Sequence, residues 1–213
     1  AGQALKRGEA TMESYKKLEK LIGVFARVSY SYDDRYLLML SLRHEGSSKF
    51  GADHKWGNFP GISAGWRINE EQFMENFTWL DNLKLRAGYG VTGIIVGNPY
   101  ESLSSLNYQG SFLYNGNWKK DLLYVRNANP DLRWEKKHEF NVGLDWDIFD
   151  GRVGGTLDYY NRRTKDAIWE YSVATPPYLY GTILTNVAEM KNTGFEFLVY
   201  ATPVKTHAIE WTT

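Results

Sequence analysis

The stretch GVFARVSYSYDDRYLLMLSL, from Gly23 to Leu42, decides the fold of this chain. Asp33 and Asp34 divide it into two runs, and in each run apolar or aromatic residues occupy every second position. These positions are Val24, Ala26, Val28, Tyr30 and Tyr32 in the first run, and Tyr36, Leu38, Leu40 and Leu42 in the second. A period of two is typical of an extended strand with two different faces. The tyrosines gather beside the turn, and aromatic rings prefer the boundary between membrane and water, so the stretch predicts a β-hairpin that crosses a bilayer.

The same alternation returns along the rest of the chain. One face of each predicted strand is apolar, and the residues that we expect to share the outer face are Val28, Leu40, Ile62, Leu85, Leu144, Leu157 and Phe197. The other face repeatedly carries glycine and full charges. The residues that we expect to face the lumen are Arg27, Arg43, Arg67, Arg86, Asn141, Asp145, Asp158 and Glu196. A water-filled lumen tolerates such charges, whereas the core between two packed sheets would not.

The connections between the predicted strands alternate in length. Short turns are predicted at Asp33-Asp34, at Asp150-Gly151 and at 203–208, and the stretch 69–82 has room for one helical turn. Short turns on one rim and long, polar loops on the other are typical of outer-membrane barrels. The long connections are predicted at 44–58, 92–133 and 162–192.

We therefore predict an all-β chain that forms about eight strands of an antiparallel, up-and-down transmembrane β-barrel. Residues 1–20 are predicted to be a loop or short helix that leads into the partial barrel of residues 21–213. Since the alternation continues to the last residue, we expect the chain to be a piece of a larger barrel, with unpaired edges near Val24 and Ile209. The predicted strands are roughly 21–32, 35–46, 56–68, 82–93, 132–148, 152–168, 189–203 and 206–213.

The composition excludes several classes of function. The 213 residues carry a formal net charge of +0, which does not favour long-range attraction to nucleic acid. The chain has no cysteine, so disulfides and thiolate metal sites are excluded. No apolar run approaches the about 20 residues of a membrane helix. The mean hydropathy of -0.48 is compatible with a barrel, because only alternate residues of a barrel strand meet lipid.

Patterns that suggest catalysis have plainer explanations. GYGVTG, at 88–93, has the spacing of a dinucleotide-binding loop, but IIVGNPYES follows it without the helix that such a loop needs. The inward-facing aspartates can serve a glycosidase, yet a solvated ladder of charges explains them as well. No pair of histidines has the spacing of metal ligands; they are His44, His54, His138 and His207. We therefore expect no enzymatic activity, no metal and no cofactor.

The aromatic residues of the long connections are better candidates for ligand contact. Aromatic faces bind the C–H surfaces of sugars and also peptide side chains. The alternative is that these rings pack the loops together or against a partner. The candidates for contact with a substrate or a lid are Trp118 and Tyr124, with Tyr108 and Tyr114 nearby, in the second long connection, and Trp169, Tyr171, Tyr178 and Tyr180 in the third.

Several stretches carry a family resemblance in their order along the chain. They are SLRHEGSSKFG (41–51), WGNFPGISAGWRINEE (56–71), LDNLKLRAGYGVTG (80–93), NPDLRWEKKHEFNVGLDW (129–146), GTLDYYNRRTKDAIW (155–169) and PPYLYGTILTNVAEMKNTGFEF (176–197). Together they resemble the barrel of SusC-like TonB-dependent outer-membrane transporters of Bacteroidetes, the RagA/SusC family. The resemblance runs from about Val24 to the end of the chain, and Ala188 departs from it where the family tends to have glycine.

The resemblance implies a barrel of about 22 strands around an N-terminal plug. It implies location in the bacterial outer membrane, in contact with the lipid bilayer. It also implies the partners: a SusD-like surface lipoprotein as the lid, the TonB complex acting through the plug, and an oligosaccharide or peptide as cargo. The plug and the TonB box are absent from these 213 residues.

Two further classes of protein fit the strand pattern. One is an all-β surface binding module or adhesin that uses the same loops. The other is a passive porin without energy coupling. A tyrosine- and tryptophan-rich end on the apolar face of the strands favours a membrane barrel over a soluble sandwich.

Overall fold

The computed structural model describes residues 16–205, 210–211 and 213 of the chain, and its main feature is one antiparallel sheet of seven strands. The strands are β1 (Leu21–Tyr32), β2 (Tyr36–Ser47), β3 (Trp56–Arg67), β4 (Leu80–Ile94), β5 (Ser105–Tyr114), β6 (Asn117–Arg126), β7 (Glu135–Ile148), β8 (Val153–Ser172), β9 (Thr182–Ala201), β10 (Val204–Lys205) and β11 (Glu210–Trp211). The main sheet has the order β1-β2-β3-β4-β7-β8-β9, while β5 pairs with β6 and β10 pairs with β11 in separate two-stranded sheets. Each strand of the main sheet thus lies beside the next main-sheet strand along the chain, as predicted.

Two short 3₁₀ helices, Ile68–Glu70 and Gln72–Met74, lie in the connection between β3 and β4, where one helical turn was expected. Within the described residues, no helix has the length and apolar character needed to cross a membrane. Residues 16–20, the described part of the predicted lead-in, form neither helix nor strand.

The predicted difference in length between the connections of the two rims holds only in part, because the connection 68–79 is longer than the connections 48–55 and 173–181. On the short-turn rim the connections are residues 33–35, 68–79 and 149–152. On the long-connection rim they are residues 48–55, 95–134 and 173–181. Antiparallel order places alternate connections at the same end, so every main-sheet strand runs between these two rims.

The prediction of a loop across residues 162–192 was wrong. β8 continues to Ser172 and β9 begins at Thr182, so only residues 173–181 connect them. The two strands stay paired beyond a register shift between Thr164 and Ala167, where Asp166 has a φ of 56°. This β-bulge interrupts the alternation along the sequence, which explains why the pattern predicted an earlier end of the strand.

A hairpin inside the second long connection was also missed. β5 and β6 pair through the turn Asn115-Gly116, whose φ angles are 49° and 73°. Positive φ at both central residues is the conformation of a type I′ turn, and Asn-Gly is its preferred sequence. The dipeptide was therefore a signal for a hairpin within residues 92–133.

The end of the chain is described only in part. The predicted last strand, 206–213, includes residues 206–209 and 212, which lie outside the described residues, as does Ile209 at the predicted edge. The backbone N–H groups of Ala201 and Thr213 each donate to the other residue's carbonyl oxygen at 2.9 Å. The chain therefore returns alongside β9 after the predicted turn at 203–208.

Register places the predicted apolar residues on one side of the sheet. Val28 pairs with Leu40 and Leu40 with Ile62, while Leu85, Leu144, Leu157 and Phe197 follow one another across four strands. Directly paired residues point to the same face, and residues separated by an even number do as well. The expectation that these residues share a face is confirmed, and we refer to this side as the apolar face.

The apolar face is the more exposed side of the central strands. Along Tyr36–Leu42 the positions on the apolar face are exposed, whereas the positions between them are half-buried. This arrangement is the reverse of a soluble sheet, which hides its apolar side. A small core lies instead at the long-connection rim and consists of Phe50, Phe59, Leu132 and Trp134.

Candidate functional site on the charged face and the long-connection rim

The side opposite the apolar face, here named the charged face, carries a bridged set of ionic side chains. On β4, Arg86 donates from Nε and Nη2 to the two carboxylate oxygens of Asp145 on β7, at 2.8 and 2.7 Å. Its Nη2 also lies 3.1 Å from Oδ1 of Asp158 on β8. Asp158 pairs in register with Glu196 on β9, so charged side chains cross four adjacent strands. The predicted ladder of charges therefore exists around Arg86.

The other residues predicted to face the lumen lie on the same face but form separate contacts. Arg27 lies over the ring of Phe25, and Arg43 forms an ion pair with Glu45. Arg67 pairs in register with Lys84, and Asn141 pairs with Gly88. The structure therefore joins Arg86, Asp145 and Asp158 into one group but does not bring all the predicted arginines together.

Glycines on the charged face make room for these side chains. A Cβ added at Gly143 would lie 2.2 Å from Oδ1 of Asp158 and 2.7 Å from Nη2 of Arg86. A Cβ at Gly88 would lie 2.5 Å from Oδ1 of Asn141. Contacts this short do not occur between non-bonded atoms, so the polar side chains occupy the space that a larger residue would fill.

The catalytic interpretations gain no support from this geometry. Asp145 and Asp158 both bind Arg86, and Asp147 accepts hydrogen bonds from Asn82 at 3.0 Å and from Tyr200. GYGVTG lies within β4, and no helix follows it in the described residues. Within residues 16–205, 210–211 and 213, no group of three or more acidic or histidine side chains is placed to hold a metal ion.

At the long-connection rim the small core ties two connections together. Trp134 contacts Phe50 and Phe59, with ring centroids 4.9 and 5.2 Å apart, and only 2 % of Trp134 is exposed. Its Nε1 donates to the carbonyl oxygen of Lys55 at 2.9 Å, which satisfies the buried indole. Ile168 and Leu184 pack against this core from β8 and β9. The connections that follow β2 and β4 are therefore held to one core, against side chains of β3, β8 and β9.

Asn127 fixes the connection between β8 and β9. Its Nδ2 donates to the carbonyl oxygens of Tyr180 and Thr182, at 2.6 and 2.8 Å. Its Oδ1 accepts from the backbone N–H groups of Leu179 and Tyr180, at 3.1 and 3.2 Å. A buried amide that uses both its donor and its acceptor holds the backbone of a neighbouring loop as another strand would. Residues 179–182 are therefore placed by the preceding connection.

Further amide contacts continue this attachment toward the sheet. Asn129 donates to the carbonyl oxygen of Leu184 at 2.7 Å. Asn186 donates to the carbonyl oxygens of Arg133 and Asp166, at 2.8 and 2.7 Å, and accepts from the N–H of Arg133 at 3.0 Å. Arg133 also pairs with the carboxylate of Asp166 at 2.8 Å. The β-bulge at Asp166 is thus stabilised by the segment that precedes β7.

The predicted contact residues lie on two distinct features of the long-connection rim. Trp118 and Tyr124 lie on the β5-β6 hairpin, where 73 % of Trp118 is exposed. Trp169 and Tyr171 lie near the end of β8, and Tyr178 and Tyr180 lie in the connection that Asn127 holds. Trp169 is 65 % exposed. Packing within the described part of the chain therefore does not account for Trp118 and Trp169, whereas Tyr124 and Tyr180 are more covered, at 38 % and 39 % exposed.

Sequence reasoning missed the residues that position the rim. Asn127, Asn129 and Asn186 were not singled out, although Asn129 and Asn186 lie within stretches that carry the family resemblance. An asparagine in a loop has too many local uses for its partners to be inferred from the chain alone. Most of their partners are more than fifty residues away along the chain, and only the folded structure brings them into contact.

Comparison with known proteins identifies TonB-dependent receptors as relatives of this chain. The family model described as "TonB dependent receptor-like, beta-barrel" matches residues 6–213. The TonB-dependent receptor P39 of Formosa agariphila is 36% identical over 91% of this chain and 18% of its own length. The TonB-dependent receptor SusC of Bacteroides thetaiotaomicron is 32% identical over 93% of this chain and 20% of its own length.

Solved structures show the same relationship. The "Structure of the RagAB peptide transporter" matches with a TM-score of 0.75 and 26% identity, over 89% of this chain and 20% of that chain. The structure of the RagAB peptide importer in the "open-open" state matches with a TM-score of 0.76 and 28% identity, over 89% of this chain and 20% of that chain. The chain thus spans about a fifth of the length of these relatives.

Proposed function

We propose a transport function on the premise that this chain belongs to the TonB-dependent receptor-like β-barrel family, whose model matches residues 6–213. In this proposal residues 21–213 are part of the barrel wall of an active transporter in the bacterial outer membrane. The full-length protein imports a nutrient, an oligosaccharide or a peptide, and takes energy from the TonB complex through a plug domain. The chain itself carries out no catalysis.

The observation that carries the proposal is the exposed apolar face of the sheet. Leu40 and Phe197 are 44 % and 69 % exposed, and both lie on that face with the other apolar residues. The charged face carries the group around Arg86. Lipid on one side and water on the other explain both faces, and this is the arrangement of a transmembrane barrel.

The cargo and the lid are proposed from the relatives and from the rim. SusC is a TonB-dependent receptor by name, and the RagAB structures are described as a peptide transporter or importer. We propose a SusD-like lipoprotein as the partner that covers the long-connection rim. Exposed aromatic rings there offer contact area at low entropic cost, which suits either a sugar, a peptide or a protein surface.

Replacing Trp169 and Tyr180 by alanine in the full-length protein tests this function. We expect reduced cargo uptake, reduced co-purification of the lid lipoprotein, or both, because the two rings are removed while the backbone contacts of Tyr180 with Asn127 remain. Uptake is measured in cells, and the amount of barrel is measured in the outer-membrane fraction.

Phe73→Ala is the matched control. Phe73 is also an exposed aromatic residue, at 60 %, but lies in the connection of the short-turn rim. Normal uptake and normal lid binding by the double variant, at unchanged barrel abundance, would contradict the proposed contacts. A full-length protein that stays soluble without detergent would favour the surface binding module, and uptake independent of TonB would favour the porin.

A further inference from the structure

A group of basic side chains lies on the apolar face where its apolar band ends. On β7 the apolar face is occupied by apolar residues from Ile148 to Phe140, and then by His138 and Lys136. The stretch Phe140–Ile148 matches the about 9–11 residues with which a tilted strand crosses a bilayer. The same change occurs on β8 and β9, the next two strands of the main sheet, whereas β4 on the other side carries Val91 and Gly93 opposite His138 and Lys136. The group, here named the cation cluster, comprises Lys136, His138, Arg163, Lys165 and Lys191.

The register places like charges directly opposite each other. Lys136 pairs with Lys165, and Arg163 pairs with Lys191 as well as with the imidazole of His138. Like charges at directly paired positions of a sheet are destabilising, so this arrangement is unfavourable unless an anion is bound. Opposite charges at paired positions would not repel each other, and the charged face has such an arrangement around Arg86.

The protein neutralises the cation cluster only in part. Arg163 donates to the carboxylate of Glu189, which lies on the same face of β9 and also attracts Lys165 and Lys191. His138 shares a hydrogen bond of 2.8 Å with the hydroxyl of Tyr89. In the part of the chain that the structure describes, Lys136 and Lys165 have neither a hydrogen bond nor an ion pair from their side chains. Lys165 and Lys191 are exposed.

The position of the cluster determines which anion it can meet. It lies toward the long-connection rim and on the side that faces away from the charged face, so cargo that passes along the charged face does not reach it. If the protein spans the outer membrane as proposed, this position coincides with the headgroups of the outer leaflet. Phosphate groups provide several strong acceptor oxygens and a high negative charge, which match ammonium and guanidinium donors.

We propose that the cation cluster binds the phosphate groups of a lipid headgroup in the outer leaflet. The inference rests on the proposed membrane function and adds a specific lipid site to it. The acyl chains of the lipid cover the apolar band around Tyr89 and Phe140, while Lys136 and Lys165 contact the phosphates. Bound lipid would also remove the repulsion between the paired lysines.

The experiment uses the full-length protein purified in detergent and measures binding of diphosphoryl lipid A by native mass spectrometry. The variant is Lys136→Gln with Lys165→Gln, which removes two positive charges without adding bulk. We expect its affinity for lipid A to fall at least about tenfold, because two charge-assisted contacts are lost. Dephosphorylated lipid A is expected to bind the wild-type protein at least about tenfold more weakly than the diphosphoryl form.

Two further variants separate lipid binding from effects on folding. Lys119→Gln with Lys120→Gln removes the same charge from the β5-β6 hairpin and is expected to bind lipid A normally. Lys136→Arg with Lys165→Arg retains the charge and is expected to bind within about threefold of the wild-type protein. Resistance of the barrel to unfolding by heat in SDS shows that each variant is folded.

Several outcomes would overturn the proposal. Equal binding of lipid A by the glutamine variant and the wild-type protein would do so, as would equal binding of the dephosphorylated lipid. Inorganic phosphate that binds as tightly as lipid A would show a site for free anions instead. Failure of lipid binding is distinguishable from failure of the proposed function. Fractionation and uptake assays report separately whether the full-length protein lies in the outer membrane and whether it imports cargo.

Discussion

At the scale of the residue, the charged face depends on positions that have no side chain. Gly143 lies beneath the contact between Arg86 and Asp158, and Gly154 lies beneath the contact between Tyr200 and Asp147. Glycine is normally unfavourable in a strand because it loses the most backbone entropy on folding. Here it is required because the neighbouring side chains lie directly across the backbone.

Gly143→Ala is expected to destabilise the full-length barrel by about 1–3 kcal/mol, because the new Cβ displaces Arg86 and Asp158 from their contact. Gly90→Ala is the matched control, since a Cβ at Gly90 has no atom within 4 Å. We expect the control to change the free energy of unfolding by no more than about 0.5 kcal/mol. Denaturant titration in detergent measures both, and equal effects would refute the steric explanation.

Glu71, at the short-turn rim, is a second residue on which several contacts depend. It accepts hydrogen bonds from the Tyr36 hydroxyl at 2.6 Å and from Trp66 Nε1 at 2.9 Å, and Arg35 lies 3.5 Å away. The hydrogen bond from Tyr36, followed by that from Trp66, lowers the pKa of the Glu71 carboxyl below its ordinary value. The polar ends of the Tyr36 and Trp66 rings are thus held by one carboxylate in the connection between β3 and β4.

The lowered pKa predicts a pH dependence of stability. The contribution of Glu71 is complete above the pKa of an unfolded glutamate and is lost as the pH falls through the lower pKa of the folded state. Thermal unfolding of the full-length protein should therefore lose this contribution between about pH 5 and pH 3 in the wild type but not in Glu71→Gln. Glu75→Gln, in the same connection, is the control and should retain the wild-type pH profile. Identical profiles for all three proteins would contradict the assignment.

At the scale of the element, β2 shows how one strand meets two environments. Tyr36, Leu38, Leu40 and Leu42 lie on the apolar face and are exposed, while the residues between them are less exposed. A strand on the surface of a soluble protein would not leave its leucines on the open side. The two-stranded β5-β6 hairpin is different, because it lies outside the main sheet and a lone hairpin is only marginally stable in water.

Arginine substitutions in β2 compare the cost of placing a charge on each of the two faces. If the apolar face meets lipid, Leu40→Arg should cost about 2–4 kcal/mol near the bilayer midplane, because a charge is then placed in hydrocarbon. Ser41→Arg should cost much less, since that side chain lies on the charged face opposite Gly61. Folding titrations of the full-length protein into lipid vesicles compare the two, and equal penalties would argue against a membrane-facing surface.

At the scale of the whole molecule, the main sheet formed by the described residues is open. β1 and β9 lie at its two edges, and all twelve residues of β1 are exposed. Unpaired backbone groups cost several kcal/mol each in hydrocarbon, so a membrane sheet must close or pair its edges. We infer that in the full-length protein neighbouring barrel strands pair with these edges.

Residues 1–213 expressed alone are therefore expected to aggregate or to require detergent. The open edge of β1 and the exposed apolar face both favour association with other chains. Light scattering and analytical ultracentrifugation without detergent provide the test, with the full-length protein in detergent as the comparison. A monodisperse, cooperatively folding monomer without detergent would contradict the open-sheet interpretation.

The strands of the main sheet were predictable from the sequence by itself, except where β8 and β9 continue past the β-bulge. A period of two in side-chain character follows directly from the pleat of a strand, so β1 to β4 and their apolar face could be derived from local pattern. Only the tertiary structure determined the long-connection rim. Asn127 reaches Tyr180 across fifty-three residues, and Trp134 reaches Lys55 across seventy-nine. Such contacts have no period along the chain, because hydrogen-bond partners that are distant in sequence meet only after the sheet has brought its connections to one end.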